Sequence, residues 1–212
     1  VVATGAKFIL YAAFATLLNP GDEVIIPTPC WVSYVDQVKM VDAVPVTFQT
    51  TEANDFKATV EQLEAARTEK TKLILLNSPS NPTGMIYSRE ELEAIGAWAL
   101  EHDILILADD IYGRLVYNGH EFTAISSLSD ALRKQTIVVN GVSKTYAMTG
   151  WRVGFAVAEP EIIAGMAKII SQTTSNLTAV SQYAAIEALT GDQSSIETMR
   201  QAFEERLNTI YP

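Results

Sequence analysis

Three short apolar runs, Lys72–Asn77 (KLILLN), Ile104–Ala108 (ILILA) and Thr136–Asn140 (TIVVN), are separated by longer stretches with helical spacing. A run without polar alternation has no face to offer to water. It predicts a strand buried on both sides, as in a parallel sheet covered by helices on each face. Further strands are expected at Glu23–Pro27, Ala43–Phe48 and Val153–Ala158, with a strand tail at Val1–Ala3.

Between them, residues 5–18 place Phe8, Tyr11, Phe14 and Leu18 at helical spacing with little polar surface, which predicts a buried helix. Asn19-Pro20-Gly21-Asp22 stops it. Thr59 can cap a helix over residues 60–67. Ser88 and Glu91 form a capping box for a helix that runs to Glu101. Helices are also expected at residues 31–40, 161–171, 179–190 and 194–210. The fold class that follows is α/β, a three-layer sandwich round a mostly parallel central sheet.

The chain has 212 residues, which fits one large domain over 1–212, and its 48% apolar content supplies a sizeable core. A net charge of -10 argues against a nucleic-acid partner and against an anionic membrane surface. No apolar run approaches the ~20 residues of a membrane span. The single cysteine, Cys30, rules out an internal disulfide and fits a cytoplasmic setting. His102 and His120 lack ligand spacing, so no metal site is expected. The chain opens at Val1 without Met and closes in what reads as the last turn of a helix, so it is expected to be a piece of something longer.

In open α/β sheets ligands sit at the carboxyl ends of the strands. Three polar runs fall there: Asn77 to Gly84 after one strand, Asp109-Asp110-Ile111-Tyr112 after the next, and Gly141-Val142-Ser143-Lys144 after a third. They bring Asn, Asp, Tyr and Lys to one edge of the sheet. A partly buried lysine after a buried strand loses its proton more easily and can form a Schiff base. Gly5-Ala6-Lys7 opens a helix, whose free amides attract an anion.

These runs resemble a known family. Gly141 to Gly154 (GVSKTYAMTGWRVG) is similar to the lysine signature of class-I aminotransferases. Asn81-Pro82-Thr83-Gly84 resembles that family's Asn-Pro-Thr-Gly motif, and Asp109 and Tyr112 stand at its Asp-x-x-Tyr. The agreement extends over essentially the whole chain and resembles in particular the prokaryotic aspartate aminotransferases.

The resemblance implies the large, cofactor-binding domain of a pyridoxal 5'-phosphate (PLP) enzyme. It implies that Lys144 holds PLP as an imine and shuttles the substrate's α-proton. Asp109 pairs with the pyridine nitrogen, while Asn81 and Tyr112 hydrogen-bond the phenolic oxygen. Trp31 stacks on the ring. Gly5, Ala6, Lys7, Ser143 and Arg152 cradle the phosphate, and Lys7, Trp31 and Asn81 also face the substrate. Asp110 is the weaker choice for the pyridine nitrogen, since the family acid comes first after the strand. Gly141 replaces a serine of relatives, so one phosphate contact is expected to be missing. The implied partners are an amino acid and a 2-oxo acid, aspartate and 2-oxoglutarate first, in a homodimer. The N-terminal segment, the small domain with its α-carboxylate arginine and the partner's tyrosine are expected to lie outside these residues, leaving the 212 residues alone without useful turnover. Alternatives stay open: an aromatic or broad-range aminotransferase, a β-elimination enzyme, or the PLP-sensing domain of a transcription regulator, which a basic winged-helix module upstream would reveal.

Overall fold

The apolar runs form the middle of one sheet in the computed structural model, which describes residues 1–211. In chain order the strands are β1 (Val2–Thr4), β2 (Glu23–Thr28), β3 (Val44–Gln49), β4 (Thr71–Asn77), β5 (Leu105–Asp109), β6 (Thr136–Gly141) and β7 (Val153–Val157). Across the sheet the order is β1-β7-β6-β5-β4-β2-β3. β2 to β6 pair in parallel, whereas β7 pairs antiparallel with both β6 and β1. The mostly parallel sheet expected from the sequence is therefore present, with one reversed strand beside the runs that carry the polar residues.

The helices are α1 (Ala6–Leu17), α2 (Ser33–Lys39), α3 (Val60–Ala66), α4 (Arg89–Glu101), α5 (Asp130–Gln135), α6 (Pro160–Thr173), α7 (Ala179–Thr190) and α8 (Ser194–Ile210). Thr59 caps α3 and Ser88 closes its capping box on α4, both as expected, and Thr59 closes a capping box with Gln62 as well. α5 is not legible from apolar spacing; it is six residues long and is nucleated by the Ser129 hydroxyl, which accepts from the Leu132 amide.

Two cores sandwich the sheet. On one face Ile9, Leu10 and Phe14 of α1 pack with Leu107, Ile137 and Val139 of the strands, and with Met166 and Ile170 of α6. On the other, Leu63, Ile95, Trp98 and Leu132 from α3, α4 and α5 cover Ile74 and Ile106. Ile9, Leu10 and Phe14 have no exposed surface, and each such side chain stabilises the fold by about 1.5–3 kcal/mol. This explains why α1 is apolar nearly all round: it lies between the sheet and α6. A third, smaller cluster of Val142, Val153, Leu177 and Ala185 joins α7 to the end of β6.

Register sets the stage for the site. Asn77 of β4 is level with Asp109 of β5, and Asp109 is level with Val139 of β6. The three polar runs thus leave the sheet at nearly the same height.

Candidate active site

Asp109 is the last residue of β5 and is 3% exposed. Its Oδ2 accepts a 2.7 Å hydrogen bond from the Tyr34 hydroxyl, and its Oδ1 accepts from the Ile111 amide at 3.3 Å. Burial raises its pKa to about 6, against the lowering effect of those two donors. Asp110 is also buried and reaches about 7, through burial first and the neighbouring Asp109 charge second. The two carboxyls differ in address. Asp109 lines a cavity of about 290 Å³ at the carboxyl edge of the sheet, and Asp110 is not among the residues lining it.

The same cavity is lined by Ala6, Lys7, Trp31, Asn81, Tyr112, Ser143, Lys144 and Arg152, all anticipated from the sequence, and by Tyr34, Ile111 and Thr149, which were not. Its volume suits one small molecule. Gly5 stands just behind the lining. It has φ of 91°, a conformation suited to glycine, and caps the start of α1. A Cβ there would run into the Arg152 guanidinium. The Arg152 guanidinium therefore lies against Gly5 at the start of α1, and its Nη1 donates to the Thr149 carbonyl at 2.8 Å. A guanidinium and the free amides at the start of a helix meet at one spot, an arrangement whose chemistry suits an anion.

Lys144 follows β6 by three residues, in the loop that starts at Val142, and its Nζ lies 5.5 Å from the centre of the Tyr112 ring. The partly buried amine expected from the sequence is not what this chain has: Lys144 is exposed. Ser143 beside it is buried. Lys7 Nζ sits 4.8 Å from the centre of the Trp31 ring. Trp31 in turn meets the Tyr34 ring edge-on, with centroids 5.3 Å apart.

Two residues that order this site have no motif of their own. Asn77 donates from Nδ2 to the Asp109 carbonyl and accepts from the Asn81 amide on Oδ1, both at 2.8 Å, so one side chain ties the β4 and β5 loops together. Tyr34 lies in the first turn of α2, just after Trp31, and Gln37 lies one turn further; Gln37 Nε2 donates to the Lys7 carbonyl at 2.9 Å. The available signal was the three-residue spacing of Tyr34 and Gln37, which puts both on one face of α2, the face toward α1.

Gly141 closes against β7. A Cβ there would lie 2.7 Å from the Val153 carbonyl oxygen. The missing side chain read from the sequence as a lost phosphate contact is also what lets β6 and β7 end this close together.

Among the described residues no cluster of three potential metal ligands occurs, and no helix is long and apolar enough to cross a membrane.

An open α/β sheet with a lysine, a buried acid, a tyrosine and a helix-capped anion cradle round one cavity describes a class; comparison with known proteins gives the family. The family model for aminotransferase class I and II matches residues 1–212, and the chain belongs to that family. It is 74% identical over 212 residues to the asparagine–oxo-acid transaminase of Streptococcus mutans, covering 100% of this chain and 54% of that protein. It is 55% identical over 212 residues to the aspartate aminotransferase of Bacillus sp. (strain YM-2), again covering 100% of this chain and 54% of that protein. The solved aspartate aminotransferase of Rhizobium meliloti superposes with a TM-score of 0.97 at 44% identity, over 99% of this chain and 53% of that one. The chain thus spans about half the length of the curated relatives it matches.

Proposed function

We propose that the chain is the PLP-binding large domain of an aminotransferase that moves an amino group from aspartate to 2-oxoglutarate. The observation that carries this is the single cavity lined by Lys144, Asp109, Tyr112, Asn81 and Arg152. Family membership supports the same reading.

The lining fits PLP chemically. The α1 N-terminus with Arg152 and Ser143 suits a phosphate; Trp31 offers an aromatic face to a flat ring; Asp109 suits a ring N–H; Lys144 supplies a primary amine. PLP, when bound, supplies an electron sink for the bonds at the substrate α-carbon. The residues do the rest. Lys144 Nζ would hold the cofactor and, once the substrate amine has displaced it, would be free to take the α-proton and return it. Asp109 keeps a proton on the ring nitrogen by presenting a carboxylate to it. Tyr112 and Asn81 donate to the phenolic oxygen. The surrounding subunit arrangement we propose is a cytoplasmic homodimer. The homodimer is supported by the apolar α7 face, where Tyr183 is 75% and Val180 65% exposed.

A second substrate, asparagine, has its own support in the Streptococcus mutans relative, which is named for it. The complete protein assayed with aspartate, asparagine and phenylalanine, each with 2-oxoglutarate and PLP, separates the readings. The reading above expects kcat/KM highest for aspartate. A higher value for asparagine moves the assignment to the amide, and no transfer from any of the three overturns the enzyme reading.

A further inference from the structure

We propose that Tyr34 is a positioning residue for Asp109, fixing the orientation of its carboxylate and holding it ionised before any ligand arrives. Tyr34 belongs to none of the runs that mark this chain's family. It is 1% exposed, so its hydroxyl must find a partner inside the protein. It donates to Asp109 Oδ2 at 2.7 Å, a distance typical of a hydrogen bond to a charged oxygen.

The geometry allows no easy substitute for this bond. The phenol is held edge-on by Trp31 and by the anchoring of its helix, α2, on α1 through Gln37. The Ile111 amide reaches the other carboxylate oxygen. With both oxygens engaged, the carboxyl group cannot rotate freely at the edge of the cavity that Asp109 and Tyr34 both line.

The electrostatics say why two donors are needed. Asp109 lies among few compensating groups. Asp110 follows it on the same strand end and repels it. Cys30 and Tyr112 face Tyr34, and the cations Lys7, Lys144 and Arg152 stand across the cavity. Burial alone favours the neutral acid, and a neutral acid could not pair with a cationic ring N–H. The proton on Tyr34 stays in place, because burial and the Asp109 charge push its pKa well above that of an ordinary phenol. Tyr34 is thus a donor at any working pH.

The use of a charged Asp109 rests on the PLP reading; the hydrogen bond and its effect do not. The test therefore uses the cofactor-free chain. Carbon-13 NMR follows the Asp109 side-chain carboxyl through a pH titration, with Asp109→Asn used for assignment. In Tyr34→Phe, which removes one oxygen and keeps the ring, the midpoint should rise by about one to two pH units, the size expected for loss of a hydrogen bond to a charge. An unchanged midpoint in a folded Tyr34→Phe chain overturns the proposal. Should that variant fail to fold, the wild-type chain decides. The Tyr34 Cζ resonance should step with the Asp109 midpoint and lose that step in Asp109→Asn; a Tyr34 resonance that ignores Asp109 also overturns it.

Discussion

Gly154 of β7 and Ala6 of α1 meet backbone to backbone: a Cβ on Gly154 would overlap the Ala6 amide nitrogen and the Gly5 carbonyl carbon. β7 is the reversed strand of the sheet, and this contact seats the first turn of α1 directly on it. The glycine needs no unusual φ; what it supplies is room. The anion cradle therefore depends on three positions at once, Gly5 for the turn, Arg152 for the charge and Gly154 for the approach.

Gly154→Ala should displace the start of α1. Overpacking of this kind costs about 1–3 kcal/mol, which lowers the melting midpoint of a chain this size by roughly 2–12 °C. Inorganic phosphate should bind about tenfold more weakly, as expected when one charge-assisted contact is lost. Calorimetry with phosphate and a thermal melt check both. An unchanged phosphate affinity would place the anion elsewhere.

The buried pair Asp109 and Asp110 makes stability depend on pH in a definite direction. Their pKa values are raised to about 6 and about 7, above the ordinary value near 4. Between those limits the folded chain binds more protons than the unfolded one at these two sites, so the pair's contribution to stability is fully present below about pH 4 and is lost as pH rises through 7. Surface carboxylates held low by arginine, such as Glu64 at about 2, titrate below this window. Asp110→Asn should remove much of the loss and be more stable than wild type by about 1 kcal/mol or more at pH 8. Urea unfolding of the cofactor-free chain at pH 5 and pH 8 measures it. Identical pH dependence in the two proteins would contradict the burial argument.

Lys7 tests substrate choice. Its ammonium lines the cavity over Trp31 and can meet a second carboxylate of the substrate. A charge-assisted contact is worth roughly 1.5–3 kcal/mol, so Lys7→Met in the complete protein should lower kcat/KM for aspartate about ten- to a hundred-fold. Phenylalanine, with no second carboxylate, should be unaffected. Equal losses on both would assign Lys7 to the cofactor and leave the amino-acid preference open.

The layers of this fold and most of its cavity were legible because they follow from local rules. Unbroken apolar runs such as Lys72–Asn77 report burial on both faces, and polar residues just beyond such runs fall at the ligand edge of the sheet. What stayed hidden depends on pairing across the chain. The reversal of β7 leaves no mark on Val153–Val157, since antiparallel and parallel strands share one side-chain period. Asn77 and Tyr34 read as a strand end and a helix residue, and only folding brings them to Asn81 and Asp109. The exposure of Lys144 was not legible either, because it depends on what the fold packs round the loop after β6.

The most direct test of the account is where PLP attaches. Borohydride reduction of the PLP-loaded complete protein, then peptide mass spectrometry, should find the pyridoxyl group on the peptide that carries Lys144. Lys144→Ala should abolish that label and the visible absorbance of the bound cofactor. A label of equal yield on another lysine in the variant, with the absorbance retained, would contradict the assignment of Lys144.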